Sequence, residues 1–302
     1  MSSTTPTTST SLAVTAAVAP PIAGNTDRSE RGGSGRLGTY ALLTLGLVFM
    51  VAPFLWMVLG SLKPDAEIRR VPPTWLPESP STDNYATLFD RLDFPTYFFN
   101  STLVAVVVTL GNLAFASMAG YALAKLQFRG KRLVFGLVLG TLMVPGMATF
   151  TPQFVLVSNL NLTNTYPGLI LPFLVAPFGI FLMRQFISGL PDELIQAARV
   201  DGAGEFRIFC QVVLPLCGPA LATLSILTFL ASWNNFLWPL VVAQTEDKYT
   251  LPVALALYSV GQNRAEYGLL LAGATVVVLP IIGMFLVLQR YFTQGIATTG
   301  IK

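Results

Sequence analysis

Residues 133–183 read LVFGLVLGTLMVPGMATFTPQFVLVSNLNLTNTYPGLILPFLVAPFGIFLM, and none of these residues carries a charge. A transmembrane helix needs about 20 consecutive apolar residues, so the stretch is too long for one membrane crossing. The polar run Ser158–Thr165 interrupts it and predicts a tight exposed turn. The stretch therefore indicates two membrane-spanning helices joined by that turn.

The whole chain is poor in charge. Of its 302 residues, 53% are hydrophobic and 11% are charged, whereas a soluble domain has about 25% charged residues. Four more uncharged stretches, each long enough for one crossing, lie at 37–62, 94–124, 208–245 and 267–289. We therefore expect an all-α membrane protein with six transmembrane helices, near 39–60, 98–124, 132–157, 166–187, 216–242 and 268–290.

The basic residues predict how the chain crosses the membrane. Six crossings place both termini on one side, and short cytoplasmic loops are enriched in Lys and Arg. Of the 18 basic residues, 12 fall on the side of the termini: Arg28, Arg31, Arg36, Lys125, Arg129, Lys131, Arg132, Arg184, Arg199, Arg207, Arg290 and Lys302. We expect both termini to be cytoplasmic in a multi-pass protein of the cell membrane. Because these residues do not form a basic stripe, no nucleic-acid partner is expected.

Three segments are expected along the chain. Residues 1–35 are rich in Ser, Thr, Ala, Gly and Pro without periodicity, which is typical of a disordered tail. Residues 36–290 form the membrane domain, and residues 291–302 form a cytoplasmic C-terminal tail. Prolines and scattered charges in residues 61–97 favour an external, mostly irregular loop.

The only long predicted cytoplasmic loop covers residues 188–215 and reads SGLPDELIQAARVDGAGEFRIFCQVVLP. Pro191 suits the first position of a helix, acidic residues follow it, and Gly202 and Gly204 can end the helix. The pattern predicts a short helix outside the bilayer, then a turn and a second amphipathic piece. One narrow face of that helix has small and apolar side chains that a protein groove can accept: Leu194, Ala197, Ala198 and Asp201.

This loop resembles the coupling-loop signature of the permeases of ATP-binding-cassette (ABC) importers. The signature is Glu-Ala-Ala, three residues, Gly, nine residues, Ile, one residue and Leu-Pro, and its spacing is retained throughout. Gln196 replaces the Glu and Val212 replaces the Ile. By resemblance, the contact with a separate ATPase would include Glu193, Gln196, Ala197, Ala198, Asp201, Gly202, Val212, Leu214 and Pro215.

The likeness covers about residues 38–302. The following segments are similar to carbohydrate-uptake permeases, in particular the smaller permease of the maltose-type pair: Ser61–Pro64, Asn84–Tyr85, Asn100–Ser101, Ala231–Pro239 and Gln289–Phe292. The resemblance implies the type I importer architecture, a heterodimer with a second permease, a dimeric ATP-binding subunit and an extracytoplasmic solute-binding protein. ATP and Mg²⁺ would be bound by the ATPase, with no cofactor on this chain. It also implies an ATPase contact by Gln294, Gly295 and Gly300.

Trp233, Asn234 and Asn235 form an aromatic and amide group inside the fifth predicted span. Such groups suit the apolar face and the hydroxyls of a sugar. Amides inside a bilayer also form hydrogen bonds between helices. A solute path and helix-to-helix bonding are therefore both open for these residues.

An ion-coupled secondary transporter is the alternative function. Ion coupling usually leaves ionisable groups inside the membrane, whereas this chain has no His and has no charged residue well inside any predicted span. The same composition disfavours an enzyme with a His-based triad or metal site, and the phosphate-binding loop of an ATPase is missing. We therefore expect a transport subunit without catalytic or metal-binding residues. It would move a mono-, di- or oligosaccharide inward by alternating access that a separate ATPase drives.

Overall fold

The computed structural model describes residues 33–259 and 266–299. Within these ranges the regular structure is helical. The α-helices are α1 (Gly33–Ser61), α2 (Asp65–Ile68), α3 (Asp83–Arg91), α4 (Phe94–Lys125), α5 (Lys131–Met143), α6 (Gly146–Asn159), α7 (Tyr166–Ile170), α8 (Pro177–Ser188), α9 (Asp192–Val200), α10 (Glu205–Ile208), α11 (Leu214–Leu216), α12 (Gly218–Trp233), α13 (Leu237–Val242), α14 (Leu251–Ser259) and α15 (Tyr267–Thr299). Short 3-10 turns follow at Leu171–Phe173 and Glu246–Lys248, and Phe209–Val213 is a π-helix.

Up to six membrane crossings are present in the described residues. Three helical segments are long and apolar enough to cross alone: Gly38–Ser61, Phe94–Lys125 and Tyr267–Val287. Three bent pairs each supply one more crossing when the pair is taken as one span: α5 with α6, Tyr166–Phe173 with α8, and Glu205–Leu216 with α12. The prediction of an all-α membrane protein is confirmed, with half of these spans broken.

Proline and asparagine break spans that were predicted to be continuous. The span predicted at 132–157 bends by 103° where α5 gives way to Pro145 and α6. The span predicted at 166–187 bends by 42° before Pro177. Proline lacks the N–H group and disfavours helical backbone at the preceding residue, which explains both bends. The span predicted at 216–242 stops at Trp233, and the Oδ1 atom of Asn235 accepts a hydrogen bond from the backbone N–H of Trp238 at 3.4 Å, so a side chain replaces a helical carbonyl.

The connecting segments hold more helix than the sequence predicted. Residues 61–97 contain α2, α3 and the start of α4, and α14 lies in a predicted loop. Helix α15 continues to Thr299, so no helix ends at the boundary predicted at residue 290. The turn predicted at 158–165 is confirmed: Asn161 and Asn164 have φ of 54° and 58°, a left-handed conformation that asparagine tolerates. Most of the tail predicted at 1–35, and Gly300, lie outside the described residues.

The internal contacts of the chain divide it after Ala52. In the first unit, the described part of α1 exposes large apolar side chains such as Leu45 and Phe49. This suits a helix whose surroundings are hydrocarbon, since a helix bonds its backbone groups internally. The second unit begins at Pro53 and contains all the other helices.

Helix α4 is central to the packing of the second unit, where it contacts α8 and α12. Two glycines allow α4 and α8 to approach closely. A Cβ atom at Gly120 would lie 2.8 Å from the backbone nitrogen of Arg184, and one at Gly179 would lie 2.6 Å from the Oδ1 atom of Asn112. Membrane helices associate through such close contacts, because lipid and protein are equally apolar.

Two asparagines from the segments that resemble carbohydrate-uptake permeases form hydrogen bonds to connecting segments of the second unit. The Nδ2 group of Asn84 donates to the carbonyl oxygens of Ser61 and Lys63, each at 2.8 Å. The Nδ2 group of Asn100 donates to two carbonyl oxygens in the loop before α14, at 3.0 and 2.9 Å. Buried carbonyl groups need such partners. Both asparagines therefore hold connecting segments in place.

Candidate docking loop and membrane cleft

The coupling loop, residues 188–215, is attached to the membrane helices through α9. Pro191 occupies the N-cap of α9, one position before the predicted one, and Asp192 and Glu193 lie in the first turn as the helix dipole favours. Ile195 is only 3% exposed and packs in a core that α4, α8 and the π-helix also form. Ile195 thus anchors a helix that is mostly exposed.

Helix α9 ends at Val200, and Gly202, two residues later, has φ of +78°. The backbone N–H of Ala203 donates to the carbonyl of Ala198 and that of Gly202 to the carbonyl of Arg199, each at 3.0 Å. These two bonds make a Schellman motif, in which a left-handed residue closes the helix. A Cβ atom at Gly202 would meet nothing within 4 Å. The backbone conformation, and no crowding, is therefore what requires glycine here.

Charged hydrogen bonds fix both ends of α9 to α4. Glu205 accepts from the hydroxyl of Tyr121 at 2.6 Å and from Nε of Arg199 at 2.8 Å. Lys125 donates to a backbone carbonyl of the loop and to Asp192, each at 2.6 Å. The bond from Lys125 lowers the pKa of Asp192, and the bond to Glu205 raises the pKa of Arg199. These groups stay charged near neutral pH, so α9 and α4 remain joined.

The structure divides the predicted coupling residues into an outer and an inner set. Six are exposed: Glu193, Gln196, Ala197, Asp201, Gly202 and Pro215. Three pack against the core that contains Ile195: Ala198, Val212 and Leu214. Ala198 is three residues after Ile195, so it shares the face of α9 that packs against this core.

Two exposed apolar side chains of the coupling loop were missed by the sequence analysis. Val200 is 88% exposed and Phe206 is 70% exposed. Val200 follows Glu193 and Ala197 at helical spacing, so these three share the outer face of α9. The occurrence of a β-branched residue, Val200, and an aromatic residue, Phe206, in a polar loop could have indicated an exposed apolar surface. This outer face is the candidate docking surface.

The predicted solute-path residues lie in three different surroundings. Trp233 is 1% exposed, stacks on Phe229 with ring centroids 5.6 Å apart, and donates its Nε1–H to the carbonyl of Val277 at 3.0 Å. Asn234 is exposed and donates to the carbonyl one turn earlier at 2.9 Å. Only Asn235 lines the cleft described below. Packing therefore uses both the ring and the N–H of Trp233.

A cleft of about 510 Å³ lies between α4, α6, α8 and α12. Its lining is apolar except for five uncharged polar side chains, Asn112, Gln153, Thr228, Ser232 and Asn235. Asn112 is 2% exposed, and its Nδ2 donates to the hydroxyl of Thr228 at 3.3 Å. In the described residues, no three His, Cys, Asp or Glu side chains come together as metal ligands. The cleft therefore offers hydrogen bonds and apolar contacts. Single polar residues within the uncharged stretches, such as Asn112 and Gln153, could have indicated this cleft in the sequence.

Broken membrane helices around a cleft that contains polar side chains, with a short helix outside the spans, are features of membrane transport proteins. The chain belongs to the family of binding-protein-dependent transport system inner membrane components, whose model matches residues 113–298.

The chain is similar over most of its length to known permeases. It is 43% identical to the arabinooligosaccharides transport system permease protein AraQ of Halalkalibacterium halodurans, covering 86% of this chain and 96% of that protein. It is 35% identical to the diacetylchitobiose uptake system permease protein NgcG of Streptomyces coelicolor, covering 86% of each.

A solved structure of a bacterial ABC transporter involved in the import of the acidic polysaccharide alginate is also similar. It aligns with a TM-score of 0.77 at 25% identity, covering 85% of this chain and 96% of that chain. The resemblance to ABC importer permeases is confirmed, and the chain is a permease subunit of the inner membrane. The alternative, an ion-coupled secondary transporter, was wrong.

Proposed function

We propose that this permease carries a sugar or sugar-like solute into the cytoplasm, driven by a separate ATPase that docks on the outer face of α9. The names of the relatives, which specify arabinooligosaccharides and diacetylchitobiose, support a carbohydrate as the solute. The observation that carries the docking proposal is the exposed face of Glu193, Ala197 and Val200 on a helix fixed to the spans by Ile195. A short helix that is exposed on one face and anchored on the other suits transmission of movement.

The contacts of α9 give the movement a route into the membrane. Closure of an ATPase dimer would pull α9, and Lys125, which bonds to Asp192 of α9, would move with it. Tyr121 would follow through Glu205, which accepts from Arg199 of α9. Tyr121 and Lys125 belong to α4, which also carries Asn112 in the wall of the cleft. Displacement of α9 would therefore shift the side of the cleft that α4 forms, as alternating access requires.

The remaining parts of the importer follow from the family and complete the proposal. A second permease forms a heterodimer with this chain, an extracytoplasmic solute-binding protein delivers the solute, and a dimeric ATPase binds ATP and Mg²⁺, with both termini of this chain cytoplasmic. Gln294 and Gly295, in the last turns of α15, would contact the ATPase together with Gly300. Ser188–Pro215 would be the main contact.

Val200→Asp tests the docking surface, with Leu76→Asp as the matched control. Both residues are exposed and apolar, and Leu76 lies in the segment between α2 and α3. A carboxylate at the docking surface must lose its water without a partner, so we expect ATPase recovered with the affinity-purified permease to fall about tenfold or more. The control should retain it. Normal ATPase recovery with Val200→Asp, or equal loss with both variants, would refute docking on this face.

A further inference from the structure

Two helix interruptions meet at the cleft. The break before α8 contributes Val175 and Ala176 to its lining, and the break after α12 contributes Asn235. Irregular backbone at membrane depth occurs only where it is buried in protein or lines a cavity. In secondary transporters, which also work by alternating access, interrupted helices mark the place where the solute binds. The location of these breaks thus singles out this cleft as a solute site.

The polar side chains of the cleft divide into paired and available groups. Asn112 donates to Thr228, and its Oδ1 accepts from the backbone N–H of Ala176 at 3.5 Å, so this buried amide is held in place. Gln153 and Ser232 are partly exposed and make no side-chain hydrogen bond to any residue in 33–259 or 266–299. Their amide and hydroxyl groups are therefore free to bond to a solute.

The apolar part of the lining fits the other half of a sugar. Phe173 and Phe178 line the cleft, and aromatic rings suit the C–H faces of a pyranose or furanose ring. A volume of about 510 Å³ falls within the roughly 300–1,000 Å³ of small-molecule sites. The cleft can hold a sugar unit that hydrogen-bonds on one side and packs on the other.

We propose that the lining of this cleft is the part of the solute path that this chain supplies, and that the cleft binds an uncharged, hydroxylated solute, namely a neutral sugar unit. The proposal rests on the proposed function and narrows its substrate class. None of the lining residues is charged. A carboxylate or phosphate group would leave water at membrane depth with no counter-charge from this wall, which is strongly unfavourable. A neutral sugar meets hydroxyl and amide partners instead.

The first test compares two solutes of matched size in the complete importer, reconstituted in liposomes with its second permease, ATPase and binding protein. The probes are arabinotriose, which is neutral, and an alginate trisaccharide, which carries a carboxylate on each unit. We expect ATP-driven uptake of the neutral probe to exceed that of the anionic probe at least tenfold when each probe saturates the binding protein. Equal or faster uptake of the anionic probe overturns the inferred substrate class.

The second test compares Ser232→Ala with Ser225→Ala, two serines of α12. Ser232 lines the cleft, whereas the hydroxyl of Ser225 donates to the carbonyl of Leu221 in its own helix. Loss of one hydrogen bond to the solute should lower the rate of arabinotriose uptake with saturated binding protein about threefold to tenfold in Ser232→Ala and leave it unchanged in Ser225→Ala. Equal uptake rates in both variants overturn the assignment of the cleft.

A labelling experiment covers the case in which Ser232→Ala inserts poorly. In the Ser232→Cys variant, saturating arabinotriose should slow reaction with a hydrophilic maleimide at least threefold, and no such protection should occur in Ser225→Cys. Unprotected labelling while ATP still drives uptake overturns the inference alone. Absence of ATP-driven uptake of any sugar by the unmodified importer overturns the proposed function instead.

Discussion

Replacing Gly202 tests whether the turn that ends α9 is needed for coupling. The substitution Gly202→Ser places a residue with a Cβ atom at φ of +78°. The space around that position is open within 4 Å, so the effect comes from backbone conformation alone. Gly204→Ser is the matched control, because Gly204 has φ of −72° and is the N-cap of α10, where serine is favoured.

The magnitude follows from the left-handed conformation. A non-glycine L-residue in this region costs roughly 1–2 kcal/mol, which lowers the population of the native turn by about 5- to 30-fold. Asparagine tolerates the region better than serine, and a β-branched residue tolerates it least. The expected order of coupled uptake is therefore glycine, asparagine, serine and valine at position 202.

The assay is solute uptake per ATP hydrolysed in reconstituted importer, with the amount of inserted permease measured by immunoblot. We expect Gly202→Ser to lose most coupled uptake at normal insertion, and Gly204→Ser to keep it. If the two serine variants couple equally well, or if Gly202→Val transports normally, then the turn is not required and the reasoning fails.

Three other perturbations have defined outcomes. Tyr121→Phe removes the hydrogen bond to Glu205, a bond to a charged group that contributes about 1.5–3 kcal/mol. Because this bond holds the coupling loop to α4, proteolysis within the loop should accelerate. An unchanged rate of proteolysis would contradict this. Gly120→Ala places a Cβ 2.8 Å from α8, whereas a Cβ in the control Gly140→Ala meets nothing within 4 Å. Overpacking should destabilise Gly120→Ala by about 1–3 kcal/mol and so lower its melting temperature in detergent. Equal melting temperatures in the two variants would argue against the close α4–α8 contact. The pKa of Asp192 is below its usual value of 3.8, so its ion pair with Lys125 stabilises the loop above that value and is lost as the pH falls through the lower folded-state pKa. Proteolysis of the loop should therefore stay constant near neutral pH and rise only below pH 3.8. A rise near neutral pH would contradict this.

The number of spans and the docking helix were predictable because their causes are local. Uncharged stretches mark membrane crossings wherever they occur. The end of α9 needed only Gly202 and its neighbours, since a left-handed glycine closes a helix without help from distant residues. The turn at 158–165 likewise depends on asparagines that tolerate positive φ.

The cleft and the inner side of α9 were not predictable, because both depend on how helices pack. The environment of Trp233 is set by Phe229 and by a carbonyl of α15, 44 residues away in sequence. Asn112 was one polar residue in an uncharged stretch, and only the approach of Thr228 from α12 shows that it lines a cleft. The family-like spacing identified Ala198 without showing which way it faces.

Helix α4 runs uninterrupted for 32 residues, which makes it about 48 Å long at 1.5 Å per residue. Asn100 holds its first turns against the loop before α14, and Tyr121 holds its last turns to the coupling loop. A tilt of about 5° about one end of a helix of this length would displace the other end by roughly 4 Å. Under the proposed docking, a pivot at the close contact of Gly120 with α8 would give α4 a short arm towards the coupling loop and a long arm towards Asn100. A small movement of the coupling loop would then produce a larger movement at the Asn100 end, in the opposite direction.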